Sequence, residues 1–210
     1  MASQESIHFF SGDGRTRLEG RWVAPDAGAA VAVLIHHYPP MSNMDQRAIF
    51  ATYKELRGRG WGVLRYNSRG VGHSEGEFSG GPGEDLDARG AIAEARRRAP
   101  QARLAVIGWS FGAERALRQM SADPAIAATV AVTPNPAGIA ENAGGAHGPL
   151  LAIVAERDQY FDLIETRTAY EQASEPKSWI LLKWADHFYA TREDEVASAT
   201  ADWLEENTKK

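Results

Sequence analysis

The chain has 210 residues, of which 43% are hydrophobic and 24% are charged, and its formal net charge is −5. This composition predicts a single domain over residues 1–210 and argues against a nucleic-acid partner, because nucleic-acid surfaces normally carry a basic patch. The chain contains no cysteine, which excludes disulfides, a cysteine nucleophile and thiolate metal sites.

Short β-rich runs alternate with segments of helical periodicity along the chain. The runs that predict strands are, in order, IHFF, RLEGRWVAP, AAVAVLIHH, WGVLRYNS, RLAVIGW, ATVAVTP, PLLAIVAE and SWILLKW. Helices are predicted from Ser42 or Asn43 to Gly58, from Asp85 to the residues before Pro100, over FGAERALRQM, from Asp162 to Ser174, and from Thr191 as an N-cap. Apolar strands that alternate with helices indicate a mainly parallel sheet of seven or eight strands with helices on both faces.

The N-terminal residues and the apolar runs give no indication of export or of a membrane partner. The first ten residues, MASQESIHFF, lack the charged and apolar regions of a signal peptide. Apolar runs such as AIAATVAV are too short to span a bilayer. We therefore expect a cytoplasmic protein.

Two stretches match the G-x-S-x-G pattern of a nucleophile elbow, namely GHSEG at residues 72–76 and GWSFG at residues 108–112. The elbow requires a strand, a sharp turn that strains the serine backbone, and a helix immediately afterwards. GWSFG meets these demands, because RLAVI leads into it and a helical segment begins at Phe111. GHSEG is followed by the glycine-rich loop residues EFSGGPG. The pattern therefore predicts Ser110 as a nucleophile and does not favour Ser74.

A serine nucleophile needs an imidazole to accept its proton, and the imidazole needs a carboxylate to fix its tautomer. Of the six histidines, His187 has the required chain order and follows the strand SWILLKW directly. Asp158 follows the strand PLLAIVAE and is the preferred acid, with Glu156 and Asp162 as alternatives. The predicted catalytic triad is thus Ser110, Asp158 and His187.

The tetrahedral intermediate of acyl transfer needs two preorganised donors for its oxyanion, usually backbone N–H groups. Phe111, the residue after the nucleophile, is the first predicted donor. The second is expected from the loop HHYPP after the third strand, where two prolines lack N–H groups and leave Tyr38. The adjacent His36 and His37 face opposite ways along a strand and do not easily chelate one ion, so no metal or other cofactor is predicted.

Together these motifs resemble the α/β-hydrolase superfamily, in particular its small, lidless bacterial members of the serine aminopeptidase-like and dienelactone-hydrolase-like group. The resemblance runs from the third strand to the C-terminus through a His/Pro-rich loop ending in SNMDQ, then RYNSRGVGHSEGEF, GWSFG, Asp158 and His187. It implies the α/β-hydrolase fold. Dienelactone hydrolases use a cysteine nucleophile that this chain lacks, so their activity is not implied.

The active site is expected to be open. A cap domain in this superfamily commonly follows the sixth strand, where this chain has only PNPAGIAENAGGAHG, so no cap domain is predicted. Trp109, His37, Arg69 and His73 are the candidate substrate-binding residues. Core packing is the alternative for Trp109, and structural anchoring of the GHSEG loop is the alternative for Arg69 and His73.

The predicted activity is serine-dependent hydrolysis of a small-molecule ester or thioester with a short or exposed acyl group, through an acyl-enzyme intermediate. Two alternatives stay open on the sequence. One is a small serine peptidase or amidase. The other is a non-catalytic binding protein with the same fold.

Overall fold

The fold is built on one eight-stranded sheet, with the strand order β1-β2-β4-β3-β5-β6-β7-β8. The computed structural model describes residues 3–208. The strands are β1 (Glu5–Phe10), β2 (Arg17–Val23), β3 (Val31–Ile35), β4 (Gly62–Tyr66), β5 (Leu104–Trp109), β6 (Ile126–Val132), β7 (Leu150–Arg157) and β8 (Lys177–Asp186). The helices are α1 (Arg47–Gly58), α2 (Pro82–Arg98), α3 (Phe111–Ala122), α4 (Pro136–Asn142), α5 (Leu163–Glu171) and α6 (Glu193–Asn207).

The sheet is parallel from β4 to β8 and antiparallel at its β1 side. β1 pairs with β2, and β2 with β4, in antiparallel register. The remaining pairs, β4–β3, β3–β5, β5–β6, β6–β7 and β7–β8, are parallel. The C-terminal ends of the parallel strands therefore meet at one edge, which is where open α/β sheets carry their ligand sites. β8 forms the outer edge of the sheet, and most of its residues are half-buried.

The central strands bury both of their faces, which explains their continuous apolar runs. In β5, Ala105, Ile107 and Trp109 belong to the core cluster that includes residues of α1 and α6. Leu104 and Val106 belong to the cluster on the opposite face, which includes residues of α2. Alternation along a strand places successive side chains on opposite faces, so helices cover both sides of the sheet.

The predicted fold class is confirmed, including the mainly parallel sheet and the absence of a cap among the described residues. Only α4 and a short 3₁₀ turn, Ala143–Gly145, lie between β6 and β7. The helix α4 was not predicted, because its seven residues are rich in Gly, Ala and Pro and resemble a loop. Its first turn is capped by Asn135, whose side chain accepts a hydrogen bond from the Ala137 N–H.

Three predicted helix starts were wrong, those of α1, α6 and α2. The helix α1 begins at Arg47 rather than at Ser42 or Asn43, because a separate 3₁₀ turn occupies Pro39–Met41 and the side chain of Gln46 caps the Ala48 N–H at 2.9 Å. The helix α6 begins at Glu193 after Arg192, and Thr191 has a φ of 65°, which is incompatible with the expected N-cap geometry.

The helix α2 begins three residues earlier than expected, at Pro82, whose missing N–H costs nothing in the first turn of a helix. Its start is fixed by Glu84, whose carboxylate accepts a hydrogen bond from the Gly81 N–H at 2.7 Å. Across residues 3–208, none of the helices combines the length and the apolar character that crossing a membrane requires.

Candidate active site

Ser110 lies in the turn between β5 and α3, in the geometry of a nucleophile elbow. Its φ is 52°, a left-handed conformation that non-glycine residues rarely adopt. The two flanking glycines of GWSFG are required by packing. A Cβ atom on Gly108 would overlap the carbonyl of Gly112, and one on Gly112 would overlap the carbonyls of Ile35 and His36. The motif is therefore a steric requirement of the strained turn.

The structure brings Ser110, His187 and Asp158 together in one hydrogen-bonded chain. The Nε2 atom of His187 lies 3.0 Å from the Oγ atom of Ser110, and its Nδ1 atom lies 2.8 and 2.9 Å from the two carboxylate oxygens of Asp158. An acidic partner at Nδ1 fixes the tautomer in which Nδ1 carries the proton and Nε2 accepts. His187 is 4% exposed and Ser110 is 9% exposed, so these hydrogen-bonded side chains are largely shielded from water.

Of the three acidic residues considered from the sequence, Asp158 is the one that contacts His187. The carboxylate of Glu156 instead accepts a hydrogen bond from the Trp184 N–H at 2.8 Å. The carboxylate of Asp162 caps the start of α5. These two side chains therefore have structural partners elsewhere.

Hydrogen bonds to backbone N–H groups hold both Asp158 and His187 in place. Oδ1 of Asp158 accepts hydrogen bonds from the N–H groups of Tyr160 and Phe161, at 2.8 and 3.1 Å. The side chain of Gln159 accepts a hydrogen bond from the His187 N–H at 3.1 Å. Gln159 was missed from the sequence, because nothing in its local pattern indicates a partner 28 residues away.

The two predicted oxyanion donors both lie beside Ser110. Phe111 is the first residue of α3, and Tyr38 directly precedes the 3₁₀ turn Pro39–Met41. Within the part of the chain that the structure describes, neither N–H group has a hydrogen-bond acceptor. The first N–H groups of a helix also favour negative charge nearby. The arrangement has the unpaired donors that an oxyanion site requires.

The imidazole of His36 connects two loops and is not available to a ligand. Its Nδ1–H donates to the carbonyl of His37 at 2.8 Å, and its Nε2 accepts from the Ser68 N–H at 3.0 Å. Burial lowers the pKa of His36 to about 4, so the ring is neutral at pH 7. No cluster of metal-binding side chains was found within residues 3–208.

A cavity of about 660 Å³ opens in front of Ser110. Aromatic rings make up most of its walls, and Asp and Glu are absent from the described lining, which comprises His37, Tyr38, Met41, Ser42, Gln46, Ser110, Tyr160, Phe161, His187 and Phe188. Three of these rings meet the His187 ring edge-on, with centroid distances of 4.7 Å for Tyr160, 5.4 Å for Phe161 and 5.1 Å for Phe188. The cavity thus offers an apolar, uncharged surface next to the serine.

His37 is the predicted substrate-binding residue that does line this cavity. Its ring is 4% exposed and lies 6.4 Å from the ring of His187. Burial, and secondarily the neighbouring His187, lowers the pKa of His37 to about 3, so this ring is also neutral. Neither of its ring nitrogens has a hydrogen-bond partner among the described residues.

The structure does not place Trp109, Arg69 or His73 at the cavity. Trp109 is fully buried in the core beside Ile107, so its predicted contact with substrate is corrected to core packing, the alternative given above. Strand alternation is the reason, because it turns the Trp109 side chain towards the same face as Ile107.

The loop that contains GHSEG is anchored by its polar side chains. Arg69 binds Asp87 at 2.8 Å and Asp13 at 3.2 Å, so the anchoring alternative describes it better than substrate contact. His73 is exposed, and its backbone N–H donates to Glu19. The hydroxyl of Ser74 donates to the Asn67 carbonyl at 2.7 Å and accepts from the Glu19 N–H at 3.0 Å.

The sheet, the elbow and the open cavity define an α/β hydrolase of the serine-hydrolase type without a lid. Residues 13–149 match the family model described as X-Pro dipeptidyl-peptidase (S15 family). That match covers more than half of the chain, and the chain belongs to the S15 family. An uncharacterised protein of Rickettsia prowazekii (strain Madrid E) is 30% identical to it over 94% of this chain and 87% of the relative.

Solved structures share the whole architecture. An α/β serine hydrolase without a lid from Xanthomonas campestris has a TM-score of 0.85 at 23% identity, covering 97% of this chain and 94% of that chain. An esterase from Pyrococcus furiosus has a TM-score of 0.86 at 20% identity, covering 99% and 94%. At these identities the likeness shows a common fold.

Proposed function

We propose that the chain is a serine-dependent acyl hydrolase that acts on the ester or thioester bond of small, uncharged substrates. The observation that carries this proposal is the continuous chain of hydrogen bonds from Ser110 through His187 to Asp158, built on a strained elbow. In this proposal residues 1–210 act as one catalytic domain.

In the proposed mechanism, Oγ of Ser110 attacks the carbonyl carbon while Nε2 of His187 takes the hydroxyl proton. The charge that develops on the carbonyl oxygen is stabilised by the N–H groups of Phe111 and Tyr38. His187 then passes the proton to the leaving alcohol or thiol, which leaves an acyl group on Ser110. Water, activated by the same imidazole, releases the acid, while Asp158 stabilises the imidazolium in both steps.

The chemistry of the cavity supports an ester over a substrate with a free amino terminus. A protonated amine taken out of water needs an acidic partner, because an unpaired buried charge is costly. The described cavity lining contains no Asp or Glu, and the carboxylate of Asp158 is engaged by His187. The rings of Tyr160, Phe161 and Phe188 suit apolar substituents instead.

A peptidase is the second candidate, and the match to an X-Pro dipeptidyl-peptidase family model is the observation that favours it. The same triad and oxyanion donors could cleave an amide. An esterase must bind an uncharged acyl group in the cavity, whereas an X-Pro dipeptidyl-peptidase must bind a free amino terminus. Comparing the rates on the two kinds of substrate separates the two candidates.

The test combines covalent labelling with a substrate panel. A fluorophosphonate probe followed by peptide mapping should label Ser110, and p-nitrophenyl esters of increasing acyl length should be hydrolysed faster than X-Pro p-nitroanilides. Faster cleavage of the anilides would replace the esterase by the peptidase. No labelling at all would favour a non-catalytic binding protein, and labelling of Ser74 would overturn the assignment of the nucleophile.

A further inference from the structure

We propose that Phe78 is a positioning residue that holds the two oxyanion donors at a fixed separation. Its ring centroid lies 5.0 Å from the ring of Tyr38 and 5.7 Å from the ring of Phe111. The rings of Tyr38 and Phe111 are 6.0 Å apart, so the three side chains form a closed aromatic triangle. This inference rests on the proposed function, because it concerns the backbone N–H groups of two of these residues.

Phe78 comes from a third segment, the loop after β4 that contains GHSEG, and this loop is fixed on both sides of it. Upstream, the Glu75 N–H donates to the Arg17 carbonyl at 2.8 Å. Downstream, the Ser79 N–H donates to the buried carboxylate of Glu84 at 2.9 Å. Phe78 therefore extends from a short stretch between two anchored points, and its position is set independently of the oxyanion loop.

Phe111 is also held from a second side. The guanidinium of Arg115 lies 4.2 Å from the Phe111 ring centroid, and Arg115 forms an ion pair with Asp85 at 2.6 Å. A cation over an aromatic face is stabilising. Phe111 thus has a fixed ring against which Phe78 can pack.

The position of Tyr38 depends more strongly on the aromatic triangle than the position of Phe111 does. Tyr38 is 44% exposed, and the aromatic rings that contact it are those of Phe78 and Phe111. Edge-on ring pairs are stabilising beyond the area that they bury. Removing the Phe78 ring would leave one such contact and would allow the loop before Pro39 to shift. A small shift of a donor weakens stabilisation of the oxyanion more than it weakens binding of an uncharged substrate.

The test uses the rate of fluorophosphonate labelling, which does not require a known substrate. In that reaction Oγ of Ser110 forms a bond to phosphorus, His187 takes the hydroxyl proton and fluoride leaves, while the phosphoryl oxygen occupies the oxyanion site. We expect Phe78→Ala to lower the second-order labelling rate constant about 10- to 100-fold. Phe78→Tyr keeps the ring and should stay within about threefold of the wild-type rate.

The matched control is Phe10→Ala, which removes a phenylalanine that is 58% exposed on β1. Its labelling rate should equal that of the wild type. A second readout is the steady-state rate on the best ester, where Phe78→Ala should lower kcat and leave KM within about threefold.

Three outcomes would overturn the proposal. One is a wild-type labelling rate in Phe78→Ala, and another is failure of Phe78→Tyr to restore the rate. The third is a rise in KM that accounts for the whole loss of kcat/KM, since that would indicate a substrate contact. A wild-type protein that is labelled at Ser110 but hydrolyses no ester would contradict the proposed function alone, because the labelling rates would still test Phe78.

Discussion

The carboxylate of Asp158 receives the Nδ1–H of His187 and also the backbone N–H groups of Tyr160 and Phe161. The loop that carries Asp158 thus fixes the carboxylate that contacts the His187 ring. We expect Asp158→Asn to lower kcat by about 10⁴, because an amide at this position allows the wrong tautomer of His187. Steady-state kinetics on an ester substrate would measure the loss, and circular dichroism would confirm that the fold is retained.

The neighbouring acidic residue provides the control for that variant. Asp162→Asn removes a charge close in sequence, but its side chain caps α5 and does not contact His187. Asparagine is also a good N-cap, so both kcat and the melting temperature should stay close to the wild-type values. A loss in Asp162→Asn equal to that of Asp158→Asn would contradict the assignment of the acid.

The two G-x-S-x-G stretches can be separated by one pair of variants. Ser110→Ala should lower kcat by about 10⁴ to 10⁶ without unfolding the protein, because it removes the attacking oxygen. Ser74→Ala should retain labelling at Ser110 and lower kcat far less. Its main effect should be a loss of about 1–3 kcal/mol in the free energy of unfolding, since two buried hydrogen-bonding groups lose their partner. Urea denaturation and probe labelling of both variants would decide between the serines.

The N–H group of Tyr38, the proposed second oxyanion donor, can be removed by a substitution at Tyr38 itself. The φ of Tyr38 is −46°, which is close to the value that proline adopts, so Tyr38→Pro deletes the N–H group at a φ that the proline ring tolerates. The matched control is Tyr38→Ala, which lacks the same ring but keeps the N–H. We expect kcat of the proline variant to be about 10²-fold below that of the alanine variant. Equal kcat values would show that another group supplies the second donor.

Two buried histidines make the free energy of unfolding depend on pH. The folded-state pKa values are about 4 for His36 and about 3 for His37, whereas the ordinary pKa of histidine is 6.5. Below pH 6.5 the unfolded chain binds protons at both residues that the folded protein does not bind. Each histidine should therefore lower the free energy of unfolding by about 1.6 kcal/mol between pH 6.5 and pH 5.

Urea titrations at several pH values would measure this dependence, with His37→Phe as the comparison. The variant removes one of the two titrating histidines. It should halve the slope of the free energy of unfolding against pH between pH 5 and 6.5. At pH 7 it should cost little stability, because it also removes two buried ring nitrogens without partners. An unchanged slope would show that His37 is not responsible for the dependence.

The sequence predicted those parts of the site that are determined locally. The order of strand, GWSFG and helix predicts the elbow, and strand ends predict the places of Asp158 and His187, because parallel strands bring their C-terminal ends to one edge. Strand alternation would also have assigned Trp109 to the core, since Ile107 two residues earlier is buried on the same face.

The features of the site that the sequence did not predict depend on contacts between segments that are far apart in the chain. Nothing near Gln159 indicates that its side chain binds the His187 N–H, and nothing near Phe78 indicates the rings of Tyr38 and Phe111. The late start of α1 follows from a 3₁₀ turn over Pro39–Met41, which has no helical periodicity of its own. Such contacts are set by how loops meet at the sheet edge.

Because β8 lies at the outer edge of the sheet, the segments that carry Ser110 and His187 of the proposed triad should differ in local stability. Ser110 follows the central strand β5, whereas His187 follows β8, which has a strand neighbour only on its β7 side among the described residues. Edge strands open locally at a lower free energy than central ones. Warming the protein should therefore separate His187 from Ser110 while the turn that holds Ser110 stays folded. Activity would then be lost reversibly below the melting temperature, and hydrogen exchange at the His187 amide would follow that loss.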